Sequence, residues 1–214
     1  MKIIEQSHKI LSYTGIDQIE LAGRTCYQSV SKGEPEKFVR MLRDKGHHAM
    51  IEFGDITVRF ITNRSVTHEL VRHRMCSFAQ ESTRYVKYDG DMEFIRPVWC
   101  SGKVIGNYSN KQDFPVGLAA SECYFLRYLL ESELIYKYLR MEGCKAQQAR
   151  EALVNSLKAE IVVKANIREW RHIFNLRTSK AAHPQIRALM LPLLKKLKTK
   201  IPVVFDDIFE GQTT

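Results

Sequence analysis

The chain has 214 residues, 44% of them hydrophobic and 27% charged, close to the averages of globular domains, so wholesale disorder and collagen-like sequence are excluded. Lys and Arg outnumber Asp and Glu by 33 to 24, a formal net charge of +9 that favours an anionic partner, whether nucleic acid, nucleotide or acidic metabolite. The five cysteines (Cys26, Cys76, Cys100, Cys123 and Cys144) form no C-x-x-C pair, which supports neither a disulfide scaffold nor a zinc ribbon and suits a reducing cytoplasm.

In chain order, residues 1–15 lack the apolar core of a signal peptide because Glu5, His8 and Lys9 interrupt them. No apolar run approaches the ~20 residues that cross a bilayer, so no membrane association is expected. Residues 17–28 and 35–45 predict short helices, the second opened by Pro35 and closed by Gly46. Ile56, Val58 and Phe60 alternate with Asp55, Thr57 and Arg59, the period of a half-buried strand, and Met92–Ile95 predicts a shorter one. From Pro115 to Met141 apolar residues recur at helical spacing over about seven turns. A shorter helix is predicted over 146–157, and Ala159–Val163 fits either a strand or its continuation. Residues 167–177 and 184–199 predict two more helices, with Pro184 as opener and Pro192 as a kink. Long helices mixed with few strands indicate a mixed α/β (α+β) fold, one domain over 1–214, and not a regular βαβ series. Neither G-x-G-x-x-G nor G-x-x-x-x-G-K-[ST] occurs.

Between Arg72 and Arg84 lie three arginines, a histidine and two serines, Arg72-His73-Arg74 through Ser82-Thr83-Arg84-Tyr85. The plain reading is a solvated basic helix, but the interleaved acids that support such a face are scarce. Guanidinium groups grip phosphate oxygens in a fork, so this density suits a ligand carrying phosphates. In a second cluster, Asn166 to Arg177, a helix places Arg168 and His172 four apart on one face. Arg177 also complements the dipole at that helix's end. Arg150 reads as a surface arginine paired to a neighbouring glutamate. No metal site is expected: His47 and His48 diverge, His68 and His73 are five apart, and no H-E-x-x-H occurs. Arg72, His73 and Arg74 would lower the thiol pKa of Cys76 if they surround it, although a buried inert thiol is the commoner outcome.

Arg72-His73-Arg74, seven residues, Ser82, then Arg84-Tyr85 resembles the signature of the flavin-dependent thymidylate synthases. The run E-I-V-V-K-A-N-I-R-E-W-R-H-I-F-N-L-R, followed by A-A-H-P-Q-I-R, is similar to that family's C-terminal region, and G-H-H-A-M-I-E-F to its segment before the central strand. The resemblance implies a mixed α/β fold with a central sheet, assembled as a homotetramer with active sites shared between subunits. It implies methylation of dUMP to dTMP with FAD, with 5,10-methylenetetrahydrofolate as carbon donor and NADPH as reductant. Arg72, His73, Arg74, Asn166 and Arg168 match its flavin-binding positions, with His47, Gln80 and His172 as further contacts. Ser82, Arg84, Arg150 and Arg177 match its dUMP-binding positions, joined by Glu69, Arg72, Gln80, Glu81 and Thr83. The match makes Arg177 the activating residue, a cation that favours ionisation at uracil N3 and raises electron density at C5. Four positions depart from the family pattern: Gln80 with Glu81 one residue on, where a glutamate often stands at 80; Glu69 for glutamine; His172 for asparagine; and Val154 for proline.

The rival reading is a nucleic-acid-binding protein, with the +9 charge as footprint and Tyr85, Tyr88 and Trp170 as stacking aromatics. A Ser77 or Ser82 hydrolase with His73 lacks the G-x-S-x-G elbow.

Overall fold

The first residues of the chain form two strands, β1 (Lys2–Ile4) and β2 (Ser7–Tyr13), in the computed structural model, which describes residues 1–31 and 33–209. Strand β1 lies between β5 (Glu93–Ile95), parallel to it, and β6 (Gly106–Asn107), antiparallel, with Ile3 opposite Phe94 and Gly106. A four-stranded sheet runs in the order β2-β3-β7-β4, where β3 is Asp55–Asn63, β7 is Lys158–Asn166 and β4 is Ser77–Gln80. Ile56, Val58 and Phe60 on β3 are fully buried at every second position, as are Ile161 and Val163 on β7, the alternation that fixes strand register. The fold is mixed α/β, as expected.

The chain divides into two compact units, one of Met1–Ser7, Phe60–Leu70 and Ala79–Ile161, the other of His8–Arg59, Val71–Phe78 and the described residues from Val162 onward. In the first, Ile3, Phe94, Leu126, Leu129, Tyr136 and Leu157 form the centre of one apolar core. Its long helix α5 (Ala120–Met141) starts five residues later than the periodicity predicts. Gly117 adopts φ +80°, a left-handed backbone that no helix continues through. Instead Glu122 accepts from the backbone N–H groups of Ala119 and Ser101 at 2.9 and 2.6 Å, capping the start. The helix predicted over 146–157 is shorter: a single turn, α6 (Ala146–Ala149), tightens into a 3₁₀ turn at Arg150–Ala152 and ends. Leu157 bridges to Phe94, and the apolar run beyond it is strand β7. In the same unit α4 (Arg64–Leu70) is opened by Asn63, whose Oδ1 accepts from Val66 N–H at 2.9 Å.

The second unit gathers α1 (Ile16–Tyr27), α2 (Pro35–Asp44), α3 (His48–Ile51), α7 (Ile167–Arg177), α8 (Pro184–Lys200) and α9 (Pro202–Phe205). Helix α2 opens at Pro35 as predicted, and α8 continues through Pro192 without ending there. Trp170 and Phe174 stack at 5.7 Å, and Phe174 meets Phe205 edge-on at 5.7 Å. All three are fully buried, and Trp170 alone removes enough apolar area to contribute on the order of 5 kcal/mol. Gly54 lets this packing close: a Cβ there would stand 2.6 Å from Ile167 Cδ1, and its carbonyl accepts from Ile167 N–H at 2.8 Å.

Candidate functional site

Helix α7 supplies the second unit's polar cluster, and its position is fixed from both ends of its first turns. Asn166 is the N-cap, its Oδ1 accepting from Glu169 N–H at 2.8 Å, and Trp170 Nε1 donates to the Ile56 carbonyl at 2.9 Å. With the apolar face of α7 buried, Arg168, Glu169 and His172 line a cleft of about 440 Å³ together with Glu52, Met75 and Asn166. Arg168 and His172 therefore share a face, as their spacing predicts. Arg168 is half exposed and held by Glu52 at 2.6 Å. Arg72 and Arg74 are exposed in turns following α4, and β4 comes next, so the arginine-rich stretch is not a helix. His47 precedes α3, exposed, its Nε2 3.4 Å from Tyr27 Oη.

His73, the middle residue of the motif, is 5% exposed. Its Nε2 accepts from Arg177 Nε at 3.1 Å, its Nδ1 lies 3.4 Å from Glu169 Oε1, and its ring meets that of His172 edge-on at 5.9 Å. Burial first, then the charges of Arg177 and His172, push the His73 pKa down to about 4. The ring is therefore neutral at pH 7, and the Glu169 contact is a carboxylate facing a neutral ring rather than an ion pair. Burial raises the pKa of Glu169 itself, opposed by His172. The ligand atoms of His73, Glu169 and His172 lie within 4.8 Å of one another, the spacing of a metal trio. However, His73 commits Nε2 to a guanidinium and Nδ1 to Glu169, leaving no lone pair for a cation. Cys76 departs from its sequence reading: burial, then the Glu169 carboxylate, push its thiol up to about 12, so the flanking cations do not make it a thiolate.

The first unit holds the other expected residues. Thr83, 7% exposed, and Arg150, exposed, line a pocket of about 280 Å³ with Arg64, Glu151, Leu153, Val154 and Asn155. Arg150 pairs with Glu151 at 3.6 Å, the surface pairing its sequence suggests. Ser82 heads a turn, its Oγ accepting from Arg84 N–H at 3.3 Å and its carbonyl from Tyr85 and Val86 N–H. Exposed Arg84 lies over the Tyr85 ring at 5.4 Å. Gln80 and Glu81 separate here. Gln80 Nε2 donates to Thr67 Oγ1 at 3.1 Å. Glu81 accepts from Tyr88 Oη at 2.6 Å and from Lys158 Nζ at 3.2 Å, which ties its carboxylate into the protein. Glu69 is half-buried on α4.

Sequence reasoning missed Arg64 and Glu169 as cluster members. Asn63 before a helical stretch is a capping signal that places Arg64 at a helix start. No comparable signal marks Glu169, which reads as an ordinary first-turn acid complementing the dipole.

The fold is shared with solved nucleotide-methylating enzymes. A UMP/dUMP methylase, PolB from Streptomyces cacaoi, solved with 5-Br dUMP, superposes with a TM-score of 0.76 over 96% of both chains at 18% identity. The complex with 5-Br UMP gives the same TM-score at 20% identity. The family model described as thymidylate synthase complementing protein matches residues 9–203. Proteins named flavin-dependent thymidylate synthase are similar at the sequence level: that of Corynebacterium efficiens is 34% identical over 91% of this chain and 80% of its own, and that of Mycolicibacterium gilvum 35% identical over 90% and 79%. The chain belongs to this family, the flavin-dependent thymidylate synthases.

Proposed function

We propose that the chain, acting over 1–214 as one synthase domain, converts dUMP to dTMP by reductive methylation. It takes its one-carbon unit from 5,10-methylenetetrahydrofolate and its hydride from FAD reduced by NADPH, and uses no cysteine nucleophile. The observation that carries this reading is family membership across residues 9–203. The bound flavin supplies the hydride, and the protein supplies position and field.

The residues present fit such a group. The α7 cleft offers a guanidinium, an imidazole and an amide (Arg168, His172, Asn166) beside the carboxylates of Glu52, which holds Arg168, and Glu169. Arg168 would exchange Glu52 for the diphosphate of FAD while the amide and imidazole meet its polar ring edge. Arg72, His73, Arg74 and His47 complete the set of side chains that would hold it, with Gln80 as a further contact. On the nucleotide side, Arg64, Thr83 and Arg150 offer two guanidiniums and a hydroxyl around a small pocket, the chemistry of a phosphate monoester site. Ser82 and Arg84 extend it, Arg72 and Glu69 serve dUMP with them, and Glu81 keeps the Ser82 turn in place. Arg177 places a permanent cation against the uracil, stabilising negative charge that develops at N3 and so raising electron density at C5.

A homotetramer with shared sites is part of the proposal. On α5, Tyr124, Tyr128, Ile135 and Tyr138 recur at helical spacing and are 43–67% exposed, an apolar stripe that supports burial against another copy. A cytoplasmic location accompanies it: the five cysteines are free, and no helix among the described residues is long and apolar enough to cross a membrane. The nucleic-acid reading is set aside, because the family model and the similar proteins are those of thymidylate synthases.

The test is direct. Purified protein should show a flavin absorbance band, and one anaerobic turnover with reduced FAD, dUMP and methylenetetrahydrofolate should yield dTMP. A colourless protein that forms no dTMP under those conditions overturns the proposal.

A further inference from the structure

Glu169 matches none of the flavin or dUMP positions, yet it faces the buried His73 ring. Its side chain is 12% exposed, and its Oε1 stands 3.4 Å from His73 Nδ1. On the other side of the same ring, Arg177 Nε donates to Nε2 at 3.1 Å. A neutral imidazole carries one proton, and a donor arriving at Nε2 requires that proton to be on Nδ1. The carboxylate faces the nitrogen that must carry it.

We propose that Glu169 is a positioning residue for Arg177: it holds His73 in the Nδ1–H tautomer, which keeps Nε2 available to receive Arg177 Nε and so fixes the plane of the guanidinium. Buried histidines presented to a ligand are oriented in this way, with a carboxylate on the far nitrogen setting the tautomer. The 3.4 Å separation is longer than a well-formed hydrogen bond, and active-site contacts of this kind tighten when ligands arrive. The low His73 pKa agrees, since a protonated ring would repel Arg177. The groups that face the ring are Arg177, Glu169 and His172, all from α7. Without Glu169 the ring is free to place its proton on Nε2, and Arg177 then meets a donor instead of an acceptor.

Two measurements test this, and only the second rests on the proposed synthase activity. In ¹⁵N-labelled protein without flavin at neutral pH, His73 should show a protonated Nδ1 and a bare Nε2, and the Arg177 Nε–H cross-peak should be sharp. Glu169→Leu should shift His73 toward the Nε2–H form and broaden the Arg177 signal, while Glu169→Gln, which keeps an acceptor oxygen, should restore both. A wild-type ring protonated on Nε2, or a Glu169→Leu spectrum like the wild type, overturns the proposal. In the turnover assay, Glu169→Leu should lower kcat for dTMP roughly 10–100-fold, as loss of such an orienting partner does. KM for dUMP should stay within about twofold, with kcat compared at saturating flavin, and Glu169→Gln should recover most of the rate. A shifted tautomer with unchanged kcat overturns the positioning role. If even the wild type forms no dTMP, the spectra still decide the tautomer and the order of Arg177, and the failure belongs to the activity alone.

Discussion

The two arginine-bearing clusters hold their cations in opposite ways. In the Thr83 pocket, Arg150 is 40% exposed and its partner Glu151 is 79% exposed, 3.6 Å away, a pairing worth little in water. In the α7 cluster, Arg177 is half-buried with its Nε on a ring that is itself 5% exposed. A phosphate is a diffuse dianion that mobile guanidiniums follow at small cost, so loosely held arginines suffice for it. Stabilising charge on one atom of a flat base demands donors already in place, because reorganising them during the reaction forfeits the gain. Under the proposed function the loosely held cluster sets affinity and the interlocked one sets rate.

The sharpest test of that division is Arg177→Lys. Lysine keeps the charge but loses Nε and the planar fork, so kcat for dTMP should fall roughly 100-fold or more, the cost of removing one preorganised donor. Flavin absorbance should be unchanged. A variant with wild-type kcat would erase the contrast between the clusters.

Arg150→Ala should produce the complementary pattern with a smaller effect. Loss of one charge-assisted phosphate contact, about 1.5–3 kcal/mol, predicts a KM for dUMP raised about 10–100-fold, with kcat within about threefold. Initial-rate kinetics over a range of dUMP concentrations separate the two parameters. If kcat falls as far as it does for Arg177→Lys, the pocket takes part in the chemistry and the comparison fails.

The same contrast runs through what the sequence made legible. Helix α7 matches its predicted bounds, because an N-cap, Asn166, and an apolar face, Ile167, Trp170, Ile173 and Phe174, agree with each other. The strand pattern of β3 was equally plain. Strands β1 and β2 carry no strand signal in the sequence, because β1 is short and β2 has mostly exposed residues, which leaves no strong alternation. The end of the helix predicted over 146–157 depends on a 3₁₀ turn that no Gly or Pro announces. In the candidate site, motif spacing singles out the residues proposed to bind ligands, but Glu169 and Arg64 acquire meaning only when the fold brings another residue to them. Cys76 shows the limit of reading neighbours along the chain: cations adjacent in sequence count for less than burial and a carboxylate adjacent in space.

Acid should disturb the interlocked cluster specifically. The folded His73 pKa, about 4, lies below the ordinary histidine value of 6.5. A depressed folded pKa means stability that is present in full above 6.5 and lost as pH falls toward 4, because the unfolded chain takes up the proton first. The slope from this group approaches about 1.4 kcal/mol per pH unit within that window. Denaturant melts at pH 7 and pH 5 should show the loss, and His73→Asn should flatten it. An equal pH slope in both proteins would mean that His73 is not held neutral.

The smallest effect is expected from replacing all five cysteines with Ser or Ala. A thiolate nucleophile needs an electropositive, accessible setting that lowers its pKa. Burial, with Glu122 adding to it and Arg96 opposing, pushes Cys100 up to about 11. Cys76, which senses the Glu169 carboxylate of α7, is pushed up to about 12 by burial and that charge. Neither is appreciably ionised at neutral pH, so neither is poised to attack a uracil ring. The variant should lose some stability at Cys100, which is 3% exposed, since removing atoms from a packed core leaves a void. Its kcat for dTMP, measured at a temperature where circular dichroism and flavin absorbance match the wild type, should stay within about threefold. If dTMP formation disappears in a variant that passes both checks, a cysteine takes part covalently, and the assignment of uracil activation to the Arg177 cation alone is wrong.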